Sequence, residues 1–203
     1  MIHKHYNSHT LESIARNLIK SYNQLLFMKP TAIPVEDIME QQYGLTIMYQ
    51  HIRNNGRILG ETAFDDTWVA VYDKEDSRYL WLPVERGTVI IDAGLLNPRS
   101  KGRLRFTLAH ELAHWVLHQG VYAGSGQTAA MLEKTAKSSE VDETIERQAD
   151  LLGSIILMPA NQVKLAFNRL RFISDIVSEM ANIFEVSKQA MKIRLQSLGL
   201  IER

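Results

Sequence analysis

Three histidines stand four residues apart in RFTLAHELAHWVLH, Arg105 to His118, and a glutamate directly follows the first of them. If the segment is helical, four residues advance the chain by about 400° of rotation and ~6 Å of rise, so His110 and His114 share one face, one turn apart. Two imidazoles placed in that way can hold one metal ion. Glu111 falls about 100° round from His110, beside the ion rather than beneath it, where a carboxylate can hold and deprotonate a water. Histidines on a helix also pack in cores or face solvent. A His-Glu-x-x-His spacing within a helical pattern is nevertheless what metal-assisted hydrolysis requires, and we read it so.

His118 extends the stripe by one more turn. A straight helix carries it too far along the axis to complete a compact tetrahedral site with metal–nitrogen bonds of ~2 Å, so a role in packing or in supporting a ligand is expected of it. The extended metzincin spacing is absent, because its two further positions hold Leu117 and Gly120. A catalytic zinc site wants three protein ligands and an open position. The chain contains no cysteine, so the third ligand must be His, Asp or Glu. Downstream, ETIERQADLLGSIILMP offers Glu143, Glu146 and Asp150 on one side of a second helix, with Ala149 and Gly153 small enough to allow close approach. Glu146 is the expected ligand and Glu143 the reserve; Asp150 is the expected carboxylate that orients a ligating imidazole. Most acidic helix faces are simply solvated, and it is the His-Glu-x-x-His helix upstream that favours ligation here.

The surrounding elements must bring these groups together. Leu11, Ile14, Ala15, Leu18, Ile19, Tyr22, Leu25 and Leu26 recur at three- and four-residue spacing, predicting an amphipathic helix over residues 11–28 with Thr10 as its N-cap. Pro34 suits the first position of a short second helix that Gly44 closes. LTIMY, TWVAVY, YLWL and TVIID are aromatic and β-branched runs, the last three separated by DKEDS and PVERG turns; they predict strands and a small antiparallel or mixed sheet. Helical spacing returns from about Gly102 to His118, GVYAGSGQT breaks it, and the polar stretch from Thr128 to Thr144 is ambiguous. It resumes from Asp142 to Leu157, stops at Met158-Pro159 and continues in two or three further helices. The final pair turns at Asn182 to Val186 and restarts behind Ser187, a helix-turn-helix-like arrangement. The chain is divided accordingly into residues 1–159 and a C-terminal helical element, 160–203.

Composition narrows the function classes. Of 203 residues 45% are hydrophobic and 23% charged, which places the chain among globular proteins and away from disorder. Lys+Arg and Asp+Glu are 23 each, so no overall field attracts nucleic acid or an acidic membrane. The N-terminus lacks the apolar stretch of a signal peptide, and LLGSIILMPA is too short to cross a bilayer. A cytoplasmic, membrane-free protein is expected.

Taken together, RFTLAHELAHWVLH and ERQADLLGSIILMP closely resemble the ImmA/IrrE family of metallopeptidases, whose pattern is a His-Glu-x-x-His helix followed by a Glu-x-x-Ala-Asn/Asp helix ending in Leu-Met-Pro. IPVEDIMEQQYGLTI, VIIDAGL and FEVSKQAMKIRLQSLGLI are similar to further parts of the family, so the resemblance extends from about residue 33 to residue 201. It implies a zincin-like α+β fold, Zn2+ held by His110, His114 and Glu146, and Glu111 as general base. Family members are intracellular proteases that act on helix-turn-helix repressors or related regulators, often within mobile elements, phage-like modules or stress responses. Asp150 departs from the usual Asn, though both accept a hydrogen bond from imidazole. The first thirty residues carry no clear family signature.

Zinc-dependent peptide hydrolysis is therefore the leading expectation. Tyr122, His118 and Arg105 are candidates for a second donor to the developing oxyanion, and the strand at Val89 to Ile91 is expected to offer an open edge to an extended substrate. The alternative is a DNA-binding or metal-sensing regulator with weak or conditional protease activity. Lys188, Lys192 and Arg194 lie on the last helix, and residues 161–203 hold seven basic and four acidic side chains. That bias is mild beside the basic patch that phosphate-driven binding shows, and a purely structural metal site would need no Glu111.

Overall fold

Three α-helix starts in this chain are capped by side chains, Asn7, Asp175 and Ser187, that accept from orphaned backbone donors. In the computed structural model, which describes residues 5–52, 58–124 and 140–202, helix α1 runs Ser8–Asn23. Its cap is Asn7, not Thr10: the Asn7 carboxamide oxygen accepts from the Thr10 backbone N–H at 2.9 Å, and Thr10 stands inside the first turn. The helix also ends earlier than the periodicity implies. Gln24–Phe27 tighten into a 3₁₀ turn, and Leu25 points into solvent rather than into the core. Pro34 precedes the short helix α2, Val35–Asp37, instead of occupying its first position, and a π-type turn, Ile38–Gln42, follows. Gly44 closes this unit at φ +64°, where the Leu45 N–H reaches back to the Met39 carbonyl.

The strands form two sheets, one mixed and one antiparallel, rather than a single small sheet. β5, Thr88–Asp92, is central in the first, pairing parallel with β1, Thr46–Gln50, and antiparallel with β2, Gly60–Thr62. β3, Thr67–Asp73, and β4, Arg78–Val84, make a separate antiparallel hairpin. Every residue of β5 is buried, which explains why Val89, Ile90 and Ile91 run on without polar alternation. Val89 and Ile91 face the helices, while Ile90 faces a second apolar cluster shared with Val69, Val71 and Val84 of the hairpin. Val89 to Ile91 consequently offer no open edge, because both sides of β5 are already paired; the outer strands of this sheet are β1 and β2.

Helix α3 runs Lys101–Tyr122, four residues past the expected end, because Tyr122 is buried against Phe64 with ring centroids 4.9 Å apart. That packing outweighs the low helix propensity of Gly120. Residues 125–139, which include the rest of the glycine-rich break and most of the ambiguous polar stretch, lie outside the described residues. Four helices follow: α4, Glu140–Leu157; α5, Ala160–Leu170; α6, Ile176–Phe184; and α7, Lys188–Ser197. Between α6 and α7 the chain turns at Glu185, φ +53°, and Ser187 caps α7 through the Ala190 N–H. The whole is an α+β fold. One apolar core joins Leu11 and Ile19 of α1, Leu108 and Leu112 of α3, Ile156 of α4, Phe184 of α6 and Leu195 of α7, and so continues across the division at 159/160. Among the described residues no helix is long and apolar enough to cross a membrane.

Helices α3 and α4 are pressed together at Gly153. A Cβ there would stand 3.1 Å from the Ala109 carbonyl carbon and 3.1 Å from the His110 nitrogen, so backbone nearly meets backbone beside the first histidine. Gly153→Val is expected to force the helices apart and to destabilise the protein by about 1–3 kcal/mol. Thermal denaturation measures this; an unchanged Tm would contradict the close approach.

Candidate metal centre

Residues four apart on α3 and one residue of α4 converge. The inward Nε2 atoms of His110 and His114 lie 2.9 Å apart, and the Glu146 carboxylate stands 3.3 Å from the first and 3.2 Å from the second. All three ligand atoms fall within 4.8 Å of one another. Donors bound to one tetrahedral ion at 2.0–2.1 Å would be about 3.3 Å apart, so the set is spaced as ligands are. Glu143, one turn earlier on α4, is exposed and stands outside the group.

The outward nitrogens settle the protonation pattern. Asp150 is a carboxylate acceptor, so His110 Nδ1 donates to it, at 2.9 Å. His118, fully buried, lies with Nδ1 3.1 Å from His114 Nδ1 and with Nε2 3.3 Å from the Gln148 side-chain oxygen. With Gln148 accepting from His118 Nε2, the remaining His118 nitrogen accepts from His114 Nδ1. Tautomers assigned in this way from the hydrogen-bond network aim the Nε2 lone pairs of His110 and His114 at the same point, where the Glu146 carboxylate adds a third acceptor. Acceptors facing acceptors demand a cation. The same demand appears in the protonation balance: burial opposes a charged His110 ring, yet hydrogen bonds to Asp150 and Glu146 and the charge of Glu111 push it up to about 10. Burial likewise pushes the Glu146 carboxyl up, but hydrogen bonds to His110 and His114 outweigh it and hold the group well below the usual carboxylate range.

Glu111 is buried and accepts a 2.6 Å hydrogen bond from the Thr62 hydroxyl to Oε2. Its other oxygen lies over Gly60, where a Cβ would come within 2.5 Å. Strand β2 thus fixes the carboxylate on one side and makes room for it on the other. The short GET segment has little strand propensity, and only its pairing with β5 reveals it. Gln148, likewise, gave no signal as the partner of His118. Of the oxyanion candidates, Arg105 donates to the Ile33 carbonyl at 2.7 Å and lies 3.7 Å from Glu185, and His118 is engaged by His114 and Gln148. Tyr122 is buried in its stack on Phe64, its ring 6.1 Å from that of His114.

If the ion is held as this geometry indicates, Glu146→Ala lowers metal content well below one equivalent, whereas Glu143→Ala leaves it unchanged. Elemental analysis of the purified variants decides between them, and loss from the second alone would reverse the assignment.

Comparison with curated proteins finds no match. Among solved structures, the fold is similar to that of a Mycobacterium tuberculosis transcriptional regulator, 15% identical, with a TM-score of 0.55; the alignment covers 93% of this chain and 46% of that one. The chain therefore spans less than half the length of that protein, and the likeness is one of fold. Residues 74–196 match the IrrE N-terminal-like domain of the M78 peptidases. That stretch runs from the hairpin through both helices of the metal cluster and into the last helix, and, since it takes in more than half of the sequence, the chain belongs to the ImmA/IrrE family of metallopeptidases.

Proposed function

We propose that this chain is a cytoplasmic, zinc-dependent metallo-endopeptidase with a zincin-like core, and that its substrate is a helix-turn-helix repressor or a related regulatory protein. The convergence of His110, His114 and Glu146, with Glu111 one residue from the first, carries the reading. Two imidazoles and one carboxylate without thiolate suit zinc in a catalytic rather than a closed site. Zinc bound there would supply Lewis acidity toward a peptide carbonyl and toward water.

The chain's own residues do the rest. Asp150 and His118 orient the two imidazoles through their outer nitrogens and hold the tautomers that ligation needs. Thr62 occupies Glu111 Oε2, which leaves Oε1 to take a proton from the attacking water and return it to the leaving amine. Gly60 keeps that oxygen's position clear. Family membership supports a protein substrate. The C-terminal pair α6–α7, helix-turn-helix-like in sequence, is read as a packing and substrate-docking element. Direct DNA binding is disfavoured because Arg194 is buried, donating to the Met158 carbonyl and pairing with Glu12, and Lys188 lies 3.8 Å from Asp175.

Glu111→Gln is expected to keep its zinc and lose cleavage of a candidate repressor by a factor on the order of 10²–10⁴. Gly60→Ala, which displaces the same carboxylate without removing it, is expected to lose about tenfold or more. Gel-based cleavage assays with metal analysis measure both, and wild-type rates in Glu111→Gln would refute the assigned base.

A further inference from the structure

Asp150 faces two ways. Its carboxylate accepts from His110 Nδ1, yet the side chain remains 60% exposed, because it also lines a groove that leads away from the metal cluster. The groove, of about 710 Å³, lies where the start of α3, one face of α4 and residues 189–193 of α7 come together. Gly102 permits that meeting, since a Cβ there would stand 3.1 Å from the Ser187 nitrogen. The walls are apolar, formed by Phe106 of α3, Leu151 and Leu157 of α4, Val186 of the turn, and Ala190 and Ile193 of α7. Ile193 is 57% exposed, an apolar side chain left uncovered beside the active site.

Charges of both signs line the groove, but only the cations are without an ion-pair partner among the described residues. Arg103 and Arg147 line it, both exposed, and neither has an ion-pair partner among the described residues. The nearby carboxylates are already engaged: Asp150 by His110, and Glu185 by Lys101 at 2.8 Å. An incoming chain therefore meets an apolar trough flanked by two unpaired guanidinium groups. A segment bearing apolar side chains and carboxylates satisfies both features, burying hydrocarbon against the walls and pairing with planar donors that match carboxylate geometry. A phosphate backbone would use the arginines alone and leave the walls uncovered.

We propose that this groove docks an apolar, carboxylate-bearing segment of the protein substrate, outside the bond to be cleaved, and so sets which proteins reach the metal cluster. The proposal rests on the peptidase reading above. Binding energy realised at such a remote site positions the scissile bond.

Binding can be measured without hydrolysis, in the full-length chain carrying Glu111→Gln. The probes are two fluorescein-labelled peptides with leucines at i, i+3, i+4 and i+7, one flanked by glutamates and its twin by lysines. Fluorescence anisotropy is expected to show the glutamate peptide binding about fivefold more tightly than the twin. The preference should reverse in Arg103→Glu/Arg147→Glu. Ile193→Asp should weaken the glutamate peptide at least about tenfold with zinc content and Tm retained. Equal affinity for the twins, no binding of either, or binding indifferent to both sets of substitutions would overturn the docking site. Displacement of the glutamate peptide by mixed-sequence duplex DNA, dependent on the two arginines, would overturn it in favour of nucleic acid. Cleavage of unfolded casein by the Ile193→Asp chain with Glu111 intact reports separately on the peptidase reading, so the two can fail independently.

Discussion

The site depends on how closely two helices can lie. His110 and His114 come from one turn of α3, but the third donor must cross from α4, and a glutamate side chain spans only a few ångströms. The helices meet that constraint at Gly153 of α4, which lies against the Ala109–His110 backbone of α3, and Ala109, Ala113 and Ala149 are small, fully buried residues of the same two helices. Buried leucines and isoleucines on either side, among them Leu108, Leu112, Leu152 and Ile156, supply the apolar area that keeps the contact closed. The metal-binding geometry is thus a consequence of core packing.

Electrostatics then determines what the closed contact can hold. Asp150 and His118 take up the outer nitrogens of the two imidazoles, and Glu146 faces the inner ones, so lone pairs converge on a single point. A cluster built in this way is balanced by positive charge, supplied by a proton on His110 or by a metal ion. Glu111 stands apart from this set, tied to β2 through the Thr62 hydroxyl. The groove beside Asp150 adjoins this cluster, its apolar walls reaching from α3 and α4 to α7.

What the sequence revealed and what it hid follow from the range of the interactions. His110, Glu111 and His114 are legible because a helical period is local, and their relation survives any tertiary arrangement. Glu146 and Asp150 are legible as a face of α4 for the same reason, and packing then brings Glu146, the expected choice over Glu143, beside the two histidines. Strand β2 was hidden because three residues of weak propensity become a strand only through pairing with β5, some thirty residues away. The position of β5 between two partners, which closes the edge expected at Val89 to Ile91, is equally non-local. Local detail also escaped where two polar residues compete: Asn7 caps α1 in place of Thr10, and buried Tyr122 carries α3 past Gly120. The groove has no sequence signature at all, since its walls come from three helices and a turn.

X-ray absorption at the zinc edge, on protein purified without added metal, addresses the central claim most directly. The account predicts about one zinc per chain with a nitrogen and oxygen shell at about 2.0–2.1 Å and the outer scattering of two imidazoles. Protein without stoichiometric zinc, or a shell containing fewer than two imidazoles, would contradict it.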